Sequence, residues 1–202
     1  MTSELDRWEE RYAAPGYLFG TEPNAFLQSR AHLLKPGWQT LSVADGEGRN
    51  SVWLAERGLN VQAFDISPTG VAKARALAGQ RGMTVNFEVA DILAWPWPTA
   101  AFDLIVAIFF QFLGPDERAD IFSKIKNALK PGGLLLMEGY NLHQLKYANG
   151  GPSNIANLWS RKLLESAFGD FSSLEIIEED RKLAEGTRHV GKSALIDLIG
   201  WK

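Results

Sequence analysis

The sequence predicts an α/β protein, an open three-layer sandwich around a mostly parallel seven-stranded sheet that ends in a C-terminal antiparallel hairpin. Short β-branched or apolar runs alternate with stretches of helical periodicity from Thr40 to Gly139, the pattern of parallel strands joined by crossover helices. Gly and Pro punctuate the joints, at Gly46, Gly48, Gly58, Pro68 and Pro131. Near the end, Leu174–Glu179 and His189–Gly200 read as strands with no helix between them. Antiparallel neighbours can be joined that way and parallel ones cannot.

The elements follow in order. Thr40–Ala44 is the first strand, and a glycine-rich turn leads into a helix from Asn50 to Arg57 that Gly58 stops. Asn60–Asp65 is the second strand. Ser67 is a good N-cap and Pro68 suits the first helical position, so a helix runs on through Gly79. Val85–Val89 is the third strand. Trp95-Pro96-Trp97-Pro98 forms a rigid loop before a buried fourth strand, Phe102–Phe110. Asp116–Leu129 is an amphipathic helix with Ile121, Ile125, Ala128 and Leu129 on one face. Lys130-Pro131-Gly132-Gly133 ends it and starts a fifth strand, Leu134–Gly139. After a loop over Tyr140–Asn154, Leu158–Phe168 is helical. Trp53 and Leu54 fall inside the first of these helices and are expected in the core.

At 202 residues, 46% hydrophobic and 22% charged, the composition is that of one globular domain spanning residues 1–202. A net charge of −3 without a basic stripe disfavours nucleic acid as a partner. No cysteine is present, which excludes disulfides, thiolate metal sites and a cysteine nucleophile. No His/Asp/Glu cluster has metal-ligand spacing, so no metal is expected. The charged first ten residues lack the apolar core of a signal peptide. The longest apolar runs, Leu104–Phe110 and Leu134–Met137, are too short to cross a bilayer. A cytoplasmic, soluble protein without membrane partners is expected, as a monomer or homodimer.

The chemistry gathers at one edge of the predicted sheet. Val43-Ala44-Asp45-Gly46-Glu47-Gly48-Arg49-Asn50 follows the first strand and opens a helix. Glycine there allows a sharp turn and close approach of a ligand, and the helix N-terminus offers free amides. Asp65 ends the second strand about 20 residues on, where a carboxylate can accept both hydroxyls of a ribose. Asp91 lies just past the third strand, where it can accept from an adenine amino group. Each alone has a bland reading, an ordinary βα turn or a strand-end acid, but the three share one edge.

Taken with the apolar strand Phe102–Phe110 and the turn Leu129-Lys130-Pro131-Gly132-Gly133, these motifs resemble a class I S-adenosylmethionine-dependent methyltransferase over Thr40–Tyr140. A nicotinamide-binding dehydrogenase would carry a third glycine where Ser51 follows Asn50. Trp8-Glu9-Glu10-Arg11-Tyr12, Tyr17-x-Phe19-Gly20-Thr21-Glu22-Pro23-Asn24, Lys146-Tyr147-x-x-Gly150-Gly151-Pro152 and Glu185-Gly186-x-x-His189-x-Gly191-Lys192-Ser193-Ala194 are similar to a bacterial subgroup related to tellurite-resistance and thiopurine methyltransferases. The resemblance implies a lid over residues 1–30, a cofactor-binding core over 40–140, and a C-terminal helix and hairpin over 141–202. It implies S-adenosylmethionine as cofactor, held by Asp45, Gly46, Glu47, Gly48, Asn50, Asp65, Ile66, Asp91, Ile92 and Ala107. It implies a small-molecule methyl acceptor such as a thiol, a thiopurine-like compound or a chalcogen oxyanion.

One departure from the family pattern stands in the turn. An acid and a glycine are usual where this chain has Ser42 and Ala44, so Asp45 or Glu47 is expected to supply the missing negative charge. That departure keeps open a second reading, a cofactor-binding regulatory protein without turnover. Methyl transfer from a sulfonium is an in-line displacement that needs alignment more than acid–base chemistry. Tyr17 and His189 are the catalytic candidates, His189 with Glu185 facing the site or lying at the surface. Tyr12, Phe19, Gln111 and Tyr140 are expected at the lid or the acceptor. Tyr12 and Tyr17 stand in a polar segment with little core to fill, whereas Phe109 and Phe110 are expected to pack.

Overall fold

A computed structural model of the protein describes residues 3–147 and 150–202. Met1 and Thr2 of the expected lid lie outside the described residues. Seven strands form one sheet in the order β3-β2-β1-β4-β5-β7-β6, mostly parallel and ending in the antiparallel hairpin that the sequence predicts. The chain packs as two compact units. One runs to Trp95 and includes Glu185–Arg188, and the other comprises Pro96–Ala184 and His189–Lys202.

In the first unit, β1 (Gln39–Val43), β2 (Asn60–Asp65) and β3 (Asn86–Val89) are parallel. The register pairs Val43 with Phe64 and Asp65 with Val89, which sets the carboxyl ends of the three strands level. Helix α1 (Glu4–Tyr12) starts with a reciprocal cap, in which Asp6 N–H donates to Ser3 Oγ at 3.1 Å and Ser3 N–H to Asp6 Oδ2 at 3.2 Å. A short α2 (Ala25–Ser29) is capped by Asn24. Helix α3 (Arg49–Glu56) leaves the glycine turn. Helix α4 (Pro68–Gln80) has the expected Ser67 cap and Pro68 in its first turn. Val52, Ala63, Val71, Ala74, Leu77, Ala78 and Phe87 form the core here, and Trp53 and Leu54 are buried as expected.

In the second unit, β4 (Phe102–Ile108) runs parallel to β5 (Leu129–Tyr140), and β5 pairs antiparallel with β7 (His189–Trp201). Strand β6 (Ser173–Glu185) precedes β7. The fifth strand begins earlier than predicted because Leu129 already pairs with Phe102; the ladder then shifts register and resumes at Leu104–Leu134. The Lys-Pro-Gly-Gly segment is thus an irregularity within the strand. Phe122 of helix α5 (Pro115–Ala128) and Phe168 of α6 (Arg161–Phe168) join Phe110 and Trp159 in an aromatic core, with ring centroids 5.1 to 6.1 Å apart. Burial of each such side chain contributes about 1.5–3 kcal/mol.

A charged cluster lies within this second sheet segment. Glu138 and Asp197 face each other across β5 and β7, and both are fully buried. The Arg181 guanidinium bonds both, reaching the Asp197 oxygens at 2.7 and 2.8 Å. Burial pushes Asp197 up to about 6 against the pull of Arg181 and a hydrogen bond with Glu138.

Candidate active site

The glycine turn is held from inside the protein. Ala44 follows β1 in the left-handed region at φ 49°, where glycine would be unstrained. Asp45 turns back under the loop, accepting from Ser42 Oγ at 2.6 Å, from the Ser51 N–H at 3.3 Å and from Ser51 Oγ. Burial raises its pKa, and those serine bonds oppose the rise. Gly46 has φ +63°, and a Cβ there would stand 2.6 Å from the Tyr12 hydroxyl. The same ring leaves only 3.0 Å for a Cβ on Gly70. Tyr12, 3% exposed, therefore fills the space over the turn that the absent side chains create.

Asp65 is the hub. Its Oδ2 accepts from the Gly46 N–H and its Oδ1 from the Ser67 N–H, both at 2.9 Å. Burial pushes its carboxyl up to about 6; these two N–H bonds pull it down, and the charges of Asp45 and Glu9 add to the rise. Glu9 docks α1 onto the start of α4, accepting from Ser67 Oγ, from the Thr69 N–H at 3.0 Å and from Thr69 Oγ1 at 2.8 Å. The Ser67 bond does most to lower the Glu9 pKa. Burial, then the charges of Asp65, Glu47 and Asp45, raise the Tyr12 phenol well above its ordinary value. Acidic side chains thus cluster around the turn.

The N-terminal segment is strapped beside it. Glu47 accepts from the Leu18 N–H at 2.6 Å and pairs with Lys73 at 2.9 Å. Lys73 also donates to the Ala14 and Gly16 carbonyls. The Tyr17 hydroxyl donates to the Lys73 carbonyl at 3.3 Å, and its ring packs on the α3–α4 core. Phe19 lies half-buried, 5.9 Å from the Arg49 guanidinium and 6.5 Å from Trp8. Asn50 Oδ1 accepts from the Asn24 N–H. Glu185 accepts from Asn24 Nδ2 and the Ala25 N–H, both at 3.1 Å, and pairs with buried Arg49 at 2.8 Å. Ala90 N–H donates to the Asp65 carbonyl at 2.9 Å, which brings Asp91 beside the second strand's end. Asp91 is exposed and accepts from the Leu93 N–H, Ile92 is buried, and Ile66 is half-buried.

The second unit gathers a different set. Phe109 directly follows β4 at φ 56°, a strained position for an aromatic residue. Its ring lies 4.9 Å from Tyr140 and 4.3 Å from His189, with Leu158, Leu183 and Leu195 around them. Gln111 is saturated by backbone: Nε2 donates to the Tyr140 and Asn157 carbonyls, and Oε1 accepts from the Tyr140 N–H. Ala107 is fully buried in β4 opposite Met137.

Residues 40–133 match the family model described as "Methyltransferase domain". The match covers just under half of the chain. The chain is 31% identical over 143 residues to the 2-heptyl-1-hydroxyquinolin-4(1H)-one methyltransferase of Mycobacteroides abscessus, covering 65% of this chain and 63% of that protein. It is 37% identical over 100 residues to the demethylmenaquinone methyltransferase of Thermus thermophilus, covering 48% and 44%. The chain thus spans less than two thirds of the length of these curated relatives. Among solved structures, one on the conversion of a disulfide bond into a thioacetal group during echinomycin biosynthesis shares the fold, with TM-score 0.75 at 19% identity, covering 99% of this chain and 92% of that one.

The first unit brings together Tyr12, Asp45, Gly46, Glu47, Gly48, Asn50 and Asp65, with Asp91 at the neighbouring strand end. Several expected roles need correction. Asp45 and Glu47 do not present their carboxylates from the turn, because Ser42 and Ser51 engage the first and Leu18 and Lys73 the second. Asn50 spends its oxygen on Asn24. Tyr17 is not placed for catalysis, since its hydroxyl is bonded to the α4 backbone. Tyr12 does not stand in a segment with little core to fill; it is buried over the turn. Gln111 braces Tyr140 and Asn157 instead of lining a pocket, and Tyr140 itself is 3% exposed. His189 is half-buried with its ring against Phe109, and Glu185 is engaged by Arg49 and Asn24. Phe110 packs as expected. Glu9, Arg49 and Lys73 escaped the sequence reading, because their partners lie 26 to 136 residues away. Among the described residues, no three His, Asp or Glu side chains are grouped as a metal site requires, and no helix is long and apolar enough to cross a membrane.

Proposed function

We propose that the protein binds S-adenosylmethionine at the glycine turn of the first unit and transfers its methyl group to a small molecule. The observation that carries this reading is the Asp65 carboxylate. Each of its oxygens accepts one backbone N–H, so each keeps a lone pair for a hydroxyl of a vicinal diol. Around it, Asp45 and Glu9 add negative charge that a cationic ligand offsets. Asp91 keeps an exposed oxygen for an amino group, and half-buried Ile66 gives an apolar surface for a ring.

The bound cofactor supplies an activated methyl group, and the chain's part is binding, orientation and exclusion of water. Asp45 serves the turn through Ser42 and Ser51, where the family usually places an acid at the position of Ser42. Tyr12 closes the turn from above and shields Asp65 from solvent.

For the acceptor, a flat-ringed, thiopurine-like thiol is the reading preferred over a chalcogen oxyanion. Relatives named for demethylmenaquinone and a hydroxyquinolinone support a ring-bearing acceptor. A soft thiolate needs no general base. The test is S-adenosylhomocysteine release from S-adenosylmethionine with 6-mercaptopurine, glutathione, selenite and tellurite. Turnover with the purine thiol above the protein-free rate is expected. Cofactor binding without turnover on any acceptor would instead support the non-catalytic reading.

A further inference from the structure

Among the described residues two cations are buried, Arg49 and Arg118. Arg49 pairs with Glu185, Lys73 with Glu47 and Arg181 with Glu138 and Asp197. Arg118, 8% exposed, has no acidic partner among the described residues; its Nη1 donates to the Ala156 carbonyl at 2.6 Å. Burial alone lowers its pKa. It also stands in the first turn of α5, where the helix dipole disfavours a cation. A buried charge without a counter-ion is costly, and an apolar side chain of similar size would avoid that cost.

Arg118 lines a groove of about 270 Å³ between α5 and α6. Phe122 and Leu163 give its apolar wall, and Ser123 and Ser166 stand at its exposed rim. Lys126 lies eight residues, about 12 Å, along the helix from Arg118. That far end is already neutral, because Lys126 holds both Asp170 oxygens at 2.8 Å. Glu117, next to Arg118, is turned back onto the Gly114 N–H. The free positive charge therefore sits at one end of a short, mainly apolar trough. The groove is smaller than the roughly 300–1,000 Å³ typical of sites for drug-sized ligands.

We propose that the α5–α6 groove is a binding site for a small organic monoanion, a carboxylate on a short apolar body, with the carboxylate on Arg118 and the body along Phe122 and Leu163. This site is separate from the glycine turn and does not depend on the cofactor reading.

Calorimetric titration of the full chain with hexanoate tests it, with 1-hexanol, acetate and inorganic phosphate in parallel. Hexanoate should bind saturably with a Kd of about 1 mM or tighter, and 1-hexanol and acetate at least about tenfold more weakly. Arg118→Met should weaken hexanoate at least about tenfold, and Ser166→Trp, which fills the rim without touching the arginine, should do the same. Hexanoate binding that survives both variants, or no saturation by about 20 mM, would overturn the proposal. Phosphate binding tighter than hexanoate with the same dependence on Arg118 would also overturn it, in favour of an inorganic-anion site.

Discussion

Replacing Asp65 by Asn should stabilise the fold at neutral pH while it damages the site. In the folded protein the carboxyl is pushed up to about 6 from its ordinary 3.8, chiefly by burial. Two pH units correspond to about 3 kcal/mol. Below pH about 4 the group is protonated folded or unfolded and costs nothing. Between about 4 and 6 the unfolded chain ionises while the folded one keeps its proton, so stability falls as pH rises. Above 6 the full cost is present. Asn is neutral throughout, but its single oxygen cannot accept from both Gly46 and Ser67, which costs about 1–2 kcal/mol. A net gain of about 1–2 kcal/mol at pH 7.5 follows, or about 2–8 °C in Tm for a chain of this size. Urea denaturation of both proteins from pH 4 to pH 8 measures it. The variant should lose its advantage below pH 4.5 and bind S-adenosylhomocysteine more weakly at pH 7.5. A variant less stable than the parent at pH 7.5, or a difference that does not vary with pH, would refute the burial argument.

Arg181→Met should cost about 3–5 kcal/mol at pH 7.5, since it leaves Glu138 and Asp197 buried without their cation. The loss should shrink toward pH 5 as the pair takes up protons, which chemical denaturation at the two pH values will show. Gly46→Ala should cost about 2–4 kcal/mol, part from φ +63° and part from the Tyr12 hydroxyl 2.6 Å from the new methyl group. Tyr12→Phe removes the second part only. The double variant should therefore be more stable than the sum of the single changes by at least about 1 kcal/mol in a double-mutant cycle.

The sheet was legible because its signals are local. Asn60–Asp65 is a strand with the bounds its apolar run suggests, and Ser67-Pro68 starts α4 where capping chemistry places it. Strand β6 runs to Glu185, six residues beyond the stretch at Leu174–Glu179, and in its outer half burial alternates, with Arg181, Leu183 and Glu185 the more buried positions, while hydropathy does not. Helix α1 was missed although Ser3 and Asp6 form a capping pair and Leu5, Trp8 and Tyr12 keep helical spacing. Its charge content hid that stripe. The position of the candidate site was legible from the glycine turn and Asp65, but its wiring was not. Whether Glu47 faces a ligand or Lys73 depends on a fold contact 26 residues away. Ala44 was legible as a strained substitute for glycine, and φ 49° bears that out. The Phe109–Tyr140–His189 cluster has no sequence periodicity, because three separate chain segments build it.

The most direct test of the central claim is calorimetric titration of the protein with S-adenosylhomocysteine at pH 7.5, repeated with Asp65→Ala and with NADH as a second ligand. Micromolar binding of S-adenosylhomocysteine, weakened at least about tenfold in Asp65→Ala, is the predicted result. Binding of NADH in its place, or binding of S-adenosylhomocysteine that Asp65→Ala leaves unchanged, would contradict the assignment of this turn as the cofactor site.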